Sequence, residues 1–409
     1  MAVQVEQLIT EHLDLWTQAQ TAKSTSGRGS NNKIELTGIK KLRELILELA
    51  VRGKLVPQDP NDEPASELLK RIAAEKEALV KGGKLKKQKP LPPISNEEKP
   101  FELPAGWMWV RWSEIALKIG DIDHKMPHEV ENGIPYVSPR DFLGKNKIDF
   151  INAKKISRDD FLRLAEKIQP QSGDIIFPRY GTIGANVLVQ TDIEFLASYS
   201  CCVIKTFPNL ISEKFQFYYS ISPLVVRLCR EAENKTTQPN VGIKSIQEFY
   251  FPVPPFSMQN KIAAKVDELL ALCDQLEQQS YQQLDAHNQL VDALLATLTQ
   301  SQNANELASN WQRLAAHFDT LFTTEYSVDA LKQTILQLAV MGKLVKQDPN
   351  DEPASELLKR IAAEKDALVK AGKIKKQKPL PPISDEEKPF ELPEGWGIAK
   401  LQQLNNCSK

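Results

Sequence analysis

The sequence predicts an α+β protein in which a globular domain of mixed α/β elements is attached to long coiled-coil helices. A segment of 55 residues occurs twice, at 53–107 and 342–396, and 49 of its positions are identical. Between the copies, from 104 to 257, β-type runs alternate with helical stretches. An apolar heptad-like pattern without proline or glycine then follows, from 258 to about 300.

The composition limits the class of protein. A chain of 409 residues is long enough for two or three domains. The net charge of −1 does not by itself indicate nucleic acid or a membrane surface. No uninterrupted apolar run of membrane-spanning length occurs, and the N-terminus does not resemble a signal peptide. The five cysteines form no Cys-x-x-Cys pair, so we expect free thiols and a cytoplasmic location.

The repeated segment predicts a connector with its own local structure. Helices are expected before it, over 3–21 and 40–51, separated by a polar, glycine-containing break. Within it, Pro64 suits the first turn of a helix that Gly82 and Gly83 terminate, and a lysine-rich stretch leads into a polyproline segment. The offset of 289 far exceeds the ~20–50 residues of solenoid repeats. The pattern instead indicates a connector that leads twice into a larger domain.

The domain between the two connectors contains the clearest β-strand signals. Apolar, β-branched runs lie at 174–177, 185–189 and 200–204. Helical stretches are expected at 158–167 and 215–230.

The long helix that follows carries a narrow apolar stripe. Its members recur at spacings of three and four residues, with one shift in the middle, as in a coiled coil with a stutter. A helix with so narrow a stripe needs a partner helix to cover it. The predicted interface residues are Ile262, Val266, Leu269, Cys273, Leu276, Leu284, Val291, Leu294 and Leu298.

Signatures of catalysis are weak. We find no phosphate-binding loop of the Gly-x-x-x-x-Gly-Lys type. One short segment contains four residues of types that bind metals, namely Asp121, Asp123, His124 and His128. Pro127 lies between the two histidines and favours a solvated loop, so we assign no metal. Glu233 and Lys235 have the Glu-x-Lys spacing of some nucleases, a pattern that arises easily by chance in so charged a chain.

Features of DNA binding are more frequent, although an exposed loop is the alternative explanation. The segment 234–244 is rich in amides and basic residues, and Asn or Gln can pair with adenine while Lys and Thr suit phosphates. Residues 101–257 contain 18 basic and 18 acidic side chains, so any positive charge must cluster on one face. The candidates are Arg140, Arg179, Tyr180, Thr182, Lys235, Thr236, Thr237, Gln238, Asn240 and Lys244.

The order of these segments resembles the specificity subunit of type I restriction–modification enzymes. The resemblance lies in the helix-and-connector sequence 42–65, in Glu-Leu-Pro-Ala-Gly-Trp at 102–107, and in Gly-Asp-Ile-Ile-Phe-Pro-Arg-Tyr-Gly-Thr-Ile-Gly at 173–184. It extends through Thr-Gln-Pro-Asn-Val at 237–241 to the start of the long helix at 251–262. Each match is weak alone, and their order makes the set specific.

The resemblance implies a non-catalytic subunit that binds double-stranded DNA through a target-recognition domain. It also implies methyltransferase subunits and a restriction/translocase subunit as partners, with S-adenosylmethionine, ATP and Mg in those partners and no cofactor in this chain. The expected organisation is a helical region at 1–56, a connector at 57–103, the target-recognition domain at 104–257, a coiled-coil spacer and helical region at 258–345, a second connector at 346–396, and the truncated start of a second target-recognition domain at 397–409.

Such a half-length subunit is expected to form a homodimer through its spacer helices and to have no membrane association. Two alternatives stay open: an inactive truncated subunit, and a nuclease or methyltransferase linked to a coiled coil. A structural coiled-coil adaptor would leave the domain at 104–257 without a role.

Overall fold

The structure is a computed structural model that describes residues 11–19, 21–22, 34–87, 89–181, 183–233, 240–375, 378 and 380–404. Two compact units, Met1–Gln279 and Ser280–Lys409, divide the chain. Among the described residues, no helix combines the length and the apolar character that crossing a membrane requires.

The helices lie before, within and after a β-rich segment at 108–253. In chain order they are α1 Leu13–Gln18, α2 Thr37–Val51, α3 Ala65–Lys81, α4 Trp112–Ile115, α5 Arg158–Ala165, α6 Glu213–Ser220, α7 Pro223–Ala232, α8 Ile243–Glu248, α9 Phe256–Gln300, α10 Ala304–Ala315, α11 Phe318–Leu321, α12 Glu325–Val340, α13 Ala354–Lys370 and α14 Leu401–Leu404.

The strands are short and lie in the first unit. They are β1 Thr21–Ala22, β2 Ile34–Glu35, β3 Met108–Arg111, β4 Lys118–Gly120, β5 Ile134–Val137, β6 Phe142–Gly144, β7 Lys147–Ile148, β8 Lys154–Ile156, β9 Ile175–Pro178, β10 Val187–Leu188, β11 Leu196–Ala197, β12 Cys201–Lys205 and β13 Tyr250–Val253.

The β-rich segment is built on a four-stranded antiparallel sheet with the order β10-β9-β12-β4. A three-stranded sheet, β11-β5-β8, lies beside it. A core of buried side chains that includes Tyr136, Phe161, Ile176, Phe195 and Val203 joins the two sheets. The expected α+β class is confirmed, and the predicted runs at 174–177, 185–189 and 200–204 correspond to β9, β10 and β12.

The first and last strands of this segment are neighbours. β3 and β13 pair antiparallel, so the chain enters and leaves the domain at one place. The Arg111 guanidinium on β3 lies over the Tyr250 ring of β13, 4.7 Å from its centroid, and bonds the Glu98 carboxylate of the connector at 2.9 Å. The Tyr250 hydroxyl donates to the same carboxylate at 3.1 Å. These contacts clamp the connector to both ends of the domain.

The helix predicted over 215–230 is two helices. α6 ends at Ser220, and α7 begins at Pro223. The Ser222 hydroxyl accepts a hydrogen bond from the Val225 N–H as the N-cap of α7. Pro223 is the first residue of the helix, where the missing N–H of proline has no intrahelical partner to lose. The Ser-Pro pair therefore breaks the helix, although the apolar pattern runs through it.

The apolar stripe of α9 finds its partners within the chain. In the first unit Ile262, Val266, Leu269, Cys273 and Leu276 are buried. Here α2 lies beside α9, because the Arg43 guanidinium bonds Asp274 at 2.7 Å and Glu277 at 2.9 Å.

In the second unit the same stripe packs against the helices that follow it. Val291 and Leu298 are buried with Leu314, Leu331 and Leu338, whereas Leu284 and Leu294 are half-buried. The buried part of the stripe is therefore covered within the chain, with α10–α12 packed against it in the second unit and α2 bonded beside it in the first. The homodimer through the spacer helices stays a prediction.

The two connectors have the same internal structure. The Trp107 indole N–H donates to Gln58 Oε1 at 2.8 Å, and Trp396 donates to Gln347 in the same way at 2.8 Å. α3 and α13 also begin and end at equivalent residues. The likeness continues past the repeat, since the Lys76 amine bonds a carbonyl of α4 and Lys365 bonds the equivalent carbonyl of α14.

The surroundings of the two connectors differ. Leu68 of α3 is fully buried, whereas Leu357, its equivalent on α13, is 47% exposed. Trp107 contacts Phe215 of α6 at a centroid distance of 6.3 Å, whereas Trp396 is exposed. We call the exposed apolar set on α12 and the second copy the second-connector face; it consists of Ile335, Leu336, Val340, Leu344, Leu357 and Trp396. Their equivalents on α2 and the first copy, Ile46, Leu47, Val51, Leu55, Leu68 and Trp107, are all buried.

Candidate nucleic-acid interface

One end of the four-stranded sheet collects the polar groups of the candidate site. β9 ends at Pro178, β12 begins at Cys201 and β4 ends at Gly120, and the antiparallel order places these three points at the same end. The Arg179 N–H donates to Ser200 O at 2.9 Å, which holds the residue after β9 against the residue before β12. The sheet therefore fixes the loops that leave this end.

The segment before α8 is attached at the same place. The Val241 N–H donates to Arg179 O at 3.0 Å, and Tyr180 forms an isolated antiparallel bridge with Asn240. Three candidates far apart in sequence, Arg179, Tyr180 and Asn240, are thus neighbours. Candidates Thr182, Lys235, Thr236, Thr237 and Gln238 lie outside the described residues.

Arg179 points inward. Its side chain is 6% exposed, and its Nη1 lies 3.5 Å from Oδ2 of Asp121, which is 7% exposed. The guanidinium also lies over the Tyr180 ring, 5.5 Å from the centroid. Burial of a charged pair is costly unless the pair is well bonded, and breaking it leaves an uncompensated charge. In this conformation Arg179 supports the loop, and its backbone carries the contact to Val241.

The remaining described candidates are exposed cations. Arg140 lies in a 3₁₀ turn at Pro139–Asp141, and its Nε is 3.7 Å from Asp141 Oδ1. Lys244 lies in the first turn of α8 with its Nζ 3.9 Å from Glu248. Surface pairs of this length are weak, so both side chains are available to a phosphate. Among the described contacts none joins Arg140 to the group at Arg179.

Sequence reasoning considered Asp121 and His124 only as metal ligands and missed their contacts at this sheet end. His124 Nε2 lies 3.1 Å from Oδ2 of Asp121, the oxygen that also faces Arg179. The imidazole stacks on the Tyr199 ring, with centroids 5.3 Å apart and planes 24° apart. The Asp-x-x-His spacing was visible in the sequence, but nothing local indicated Tyr199. Within the described ranges, no group of three potential ligands is placed to hold a metal ion.

Comparison with known proteins identifies the family. The family model for the type I restriction modification DNA specificity domain matches residues 104–286. The specificity subunit of the type I restriction enzyme EcoAI from Escherichia coli is 54% identical over 415 aligned residues, which cover 98% of this chain and 68% of that relative. This chain belongs to the type I restriction enzyme specificity subunits.

Further relatives agree with this assignment. The EcoEI specificity subunit from Escherichia coli is 52% identical and covers 98% of this chain and 67% of that relative. The chain thus spans about two thirds of the length of these two specificity subunits. A crystal structure of the HsdS subunit from Thermoanaerobacter tengcongensis is 17% identical over 65% of this chain and 62% of that chain, with a TM-score of 0.33, too low for a structural argument.

The thiols of this specificity subunit are buried. Cys201, Cys202, Cys229 and Cys273 are free and buried, whereas Cys407 lies outside the described residues. Burial raises the pKa of Cys201 and of Cys229 to about 12, and that of Cys273 to about 11. These three groups are therefore protonated at neutral pH and are poor nucleophiles.

Proposed function

We propose that this chain binds one half of a bipartite DNA target through the sheet end that carries Arg179, Tyr180 and Asn240. The observation that carries the proposal is the Tyr180–Asn240 bridge. It ties the amide-rich segment to the end of β9, near the exposed imidazole of His124, which stacks on the half-buried ring of Tyr199. Fixed polar side chains at a loop-rich sheet end suit base recognition, while exposed cations such as Arg140 and Lys244 suit phosphates.

The proposed place of the chain in a larger complex is that of a specificity subunit. A specificity subunit needs methyltransferase subunits to modify DNA and a restriction/translocase subunit to cut it. S-adenosylmethionine, ATP and Mg belong to those partners in this proposal, and this chain contributes recognition and scaffolding from a cytoplasmic location. The relatives named above carry the same designation, which supports the assignment.

We further propose that two copies of the chain associate, so that two recognition domains address two half-sites in inverted orientation. The support is the second-connector face, because its six apolar side chains on α12 and in the second connector are exposed, while their equivalents on α2 and in the first connector are buried. Large apolar side chains that are exposed where their equivalents are buried are typical of a surface that another polypeptide covers. Light scattering of the chain, alone and with its methyltransferase partner, should give the mass of a species with two copies; a single copy under both conditions would contradict the association.

The function itself is tested by methylation. The chain together with a methyltransferase subunit should modify one defined split sequence, and neither protein should do so alone. If the chain binds the methyltransferase subunit completely and yet no DNA sequence is methylated, an inactive specificity subunit would be favoured. Cleavage or methyl transfer by the isolated chain would favour the alternative of an enzyme linked to a coiled coil.

A further inference from the structure

His124 is exposed and yet held in place from two sides. Its side chain is 62% exposed, while Nε2 meets Asp121 at 3.1 Å and the ring face lies on Tyr199. Exposed side chains ordinarily sample several rotamers, and fixing one costs conformational entropy on binding. Two contacts made before any ligand arrives remove most of that cost, which is the arrangement expected of a preorganised contact residue.

The contacts of Asp121 determine which ring nitrogen of His124 carries the proton. Asp121 forms an ion pair with Arg179, and an ionised carboxylate only accepts hydrogen bonds. Nε2 must therefore carry the proton and donate it to Asp121. In the neutral imidazole the other nitrogen, Nδ1, is then an acceptor directed away from this partner.

The same carboxylate links His124 to the candidate DNA-binding segment. Asp121 forms an ion pair with Arg179 at 3.5 Å, and the Arg179 carbonyl accepts a hydrogen bond from the N–H of Val241, which follows the bridged Asn240. His124 is thus part of one connected group with the residues proposed to face DNA, although it lies 55 positions before Arg179 and 116 before Asn240 in the chain.

We propose that His124 is a base-reading residue of this recognition domain. Its Nδ1 accepts a hydrogen bond from an exocyclic amine in the major groove, which is N6 of adenine or N4 of cytosine, since guanine and thymine present acceptors at the corresponding positions. Asp121 and Tyr199 are positioning residues that hold the ring. The inference rests on the proposed DNA-binding function and adds a specificity determinant to it.

The test is selection of bound duplexes from a randomised pool by the complex of the specificity and methyltransferase subunits. The His124→Ala complex should keep the rest of the recognised sequence and lose about tenfold of its preference for adenine or cytosine at one position, which corresponds to ~1.4 kcal/mol. Tyr199→Leu, which keeps apolar packing but removes the stacking ring, should weaken the same position to a smaller degree. His128→Ala is the matched control, because it removes another exposed histidine of the same loop.

Three outcomes would overturn the inference. An unchanged sequence preference in His124→Ala would exclude a base contact. A uniform loss at all positions, with a salt dependence reduced by about one counterion, would mean that His124 contacts a phosphate. A change caused equally by His128→Ala would assign the effect to the loop as a whole. If the unaltered complex selects no sequence, the proposed DNA-binding function fails instead, and melting curves of each variant show whether its fold is intact.

Discussion

Leu68 and Leu357 occupy the same position in two helices of nearly identical sequence, but their environments differ. α3 and α13 have 17 residues each and differ only at Glu77 and Asp366. Leu68 is fully buried in the first unit, and Leu357 is 47% exposed. Helix propensity and contacts within the helix are therefore the same for α3 and α13. A difference between the effects of truncating the two leucines then reports only the difference in tertiary burial.

The expected costs follow from burial. Removing a fully buried leucine side chain costs about 2–5 kcal/mol, because the transfer free energy is lost and a cavity remains. We take about 3 kcal/mol for Leu68→Ala. Leu357 has about half of its surface in water and leaves no closed cavity, so Leu357→Ala should cost about 1 kcal/mol.

Hydrogen exchange of the helix amides measures the two costs separately. When local opening limits exchange, 3 kcal/mol corresponds to about 150-fold faster exchange in α3, and 1 kcal/mol to about fivefold in α13. The peptides are distinguishable by mass because Glu77 corresponds to Asp366. Equal acceleration of the two helices by the two substitutions, in dilute protein where copies are dissociated, would refute the claim that only the first connector is covered. If copies associate through the second-connector face, the Leu357→Ala effect should grow with protein concentration.

Further predictions concern single groups. Arg179→Ala should lower the free energy of unfolding of the first unit by about 3–5 kcal/mol, because Asp121 stays buried without its partner. Urea titration measures this loss, and a loss below about 1 kcal/mol would place Arg179 among the exposed DNA contacts instead. Hydrogen bonds from the Ser95 N–H, Arg111 and Tyr250 lower the pKa of Glu98 to about 2. Because the pKa of Glu98 is lower in the folded protein than in the unfolded chain, ionised Glu98 stabilises the fold at pH values above about 4.5. This stabilisation should disappear as the pH falls from about 4.5 to 2. In Glu98→Gln, the corresponding part of the fall in melting temperature should be absent. Cys201 and Cys229 should resist alkylation in the native protein and react only after unfolding, as site-resolved mass spectrometry would show; labelling within seconds of mixing would contradict their raised pKa. Lys244→Ala should reduce DNA affinity equally for all sequences and lower the salt slope by about one, whereas a change of preference at one position would make Lys244 a base contact.

The parts of the fold that local sequence controls were predictable. The connector helix lies between Pro64 and Gly82 as the sequence indicates, because proline and glycine act on the backbone of their own residues. The strands β9 and β12 were visible as β-branched runs. Ser222 and Pro223 also indicate the break between α6 and α7 locally, but the apolar periodicity on both sides favoured one continuous helix.

Tertiary placement was less accessible. The apolar stripe of α9 correctly indicated a need for partner helices, but periodicity cannot tell whether these come from the same chain, and α2 and α12 supply them. Arginine in a strand-ending turn looked like a surface residue, and its burial depends on Asp121, 58 positions earlier. The stacking of His124 on Tyr199 likewise joins two loops that only the antiparallel sheet brings together.

The central claim is that this chain supplies sequence specificity to a methyltransferase. Long-read methylome sequencing of cells that express both proteins, compared with cells that express the methyltransferase subunit alone, tests it most directly. The account predicts one split motif methylated only when the chain is present, and loss of one position of that motif in cells that carry His124→Ala. A methylome without any new motif, although the complex can be isolated from those cells, would contradict it.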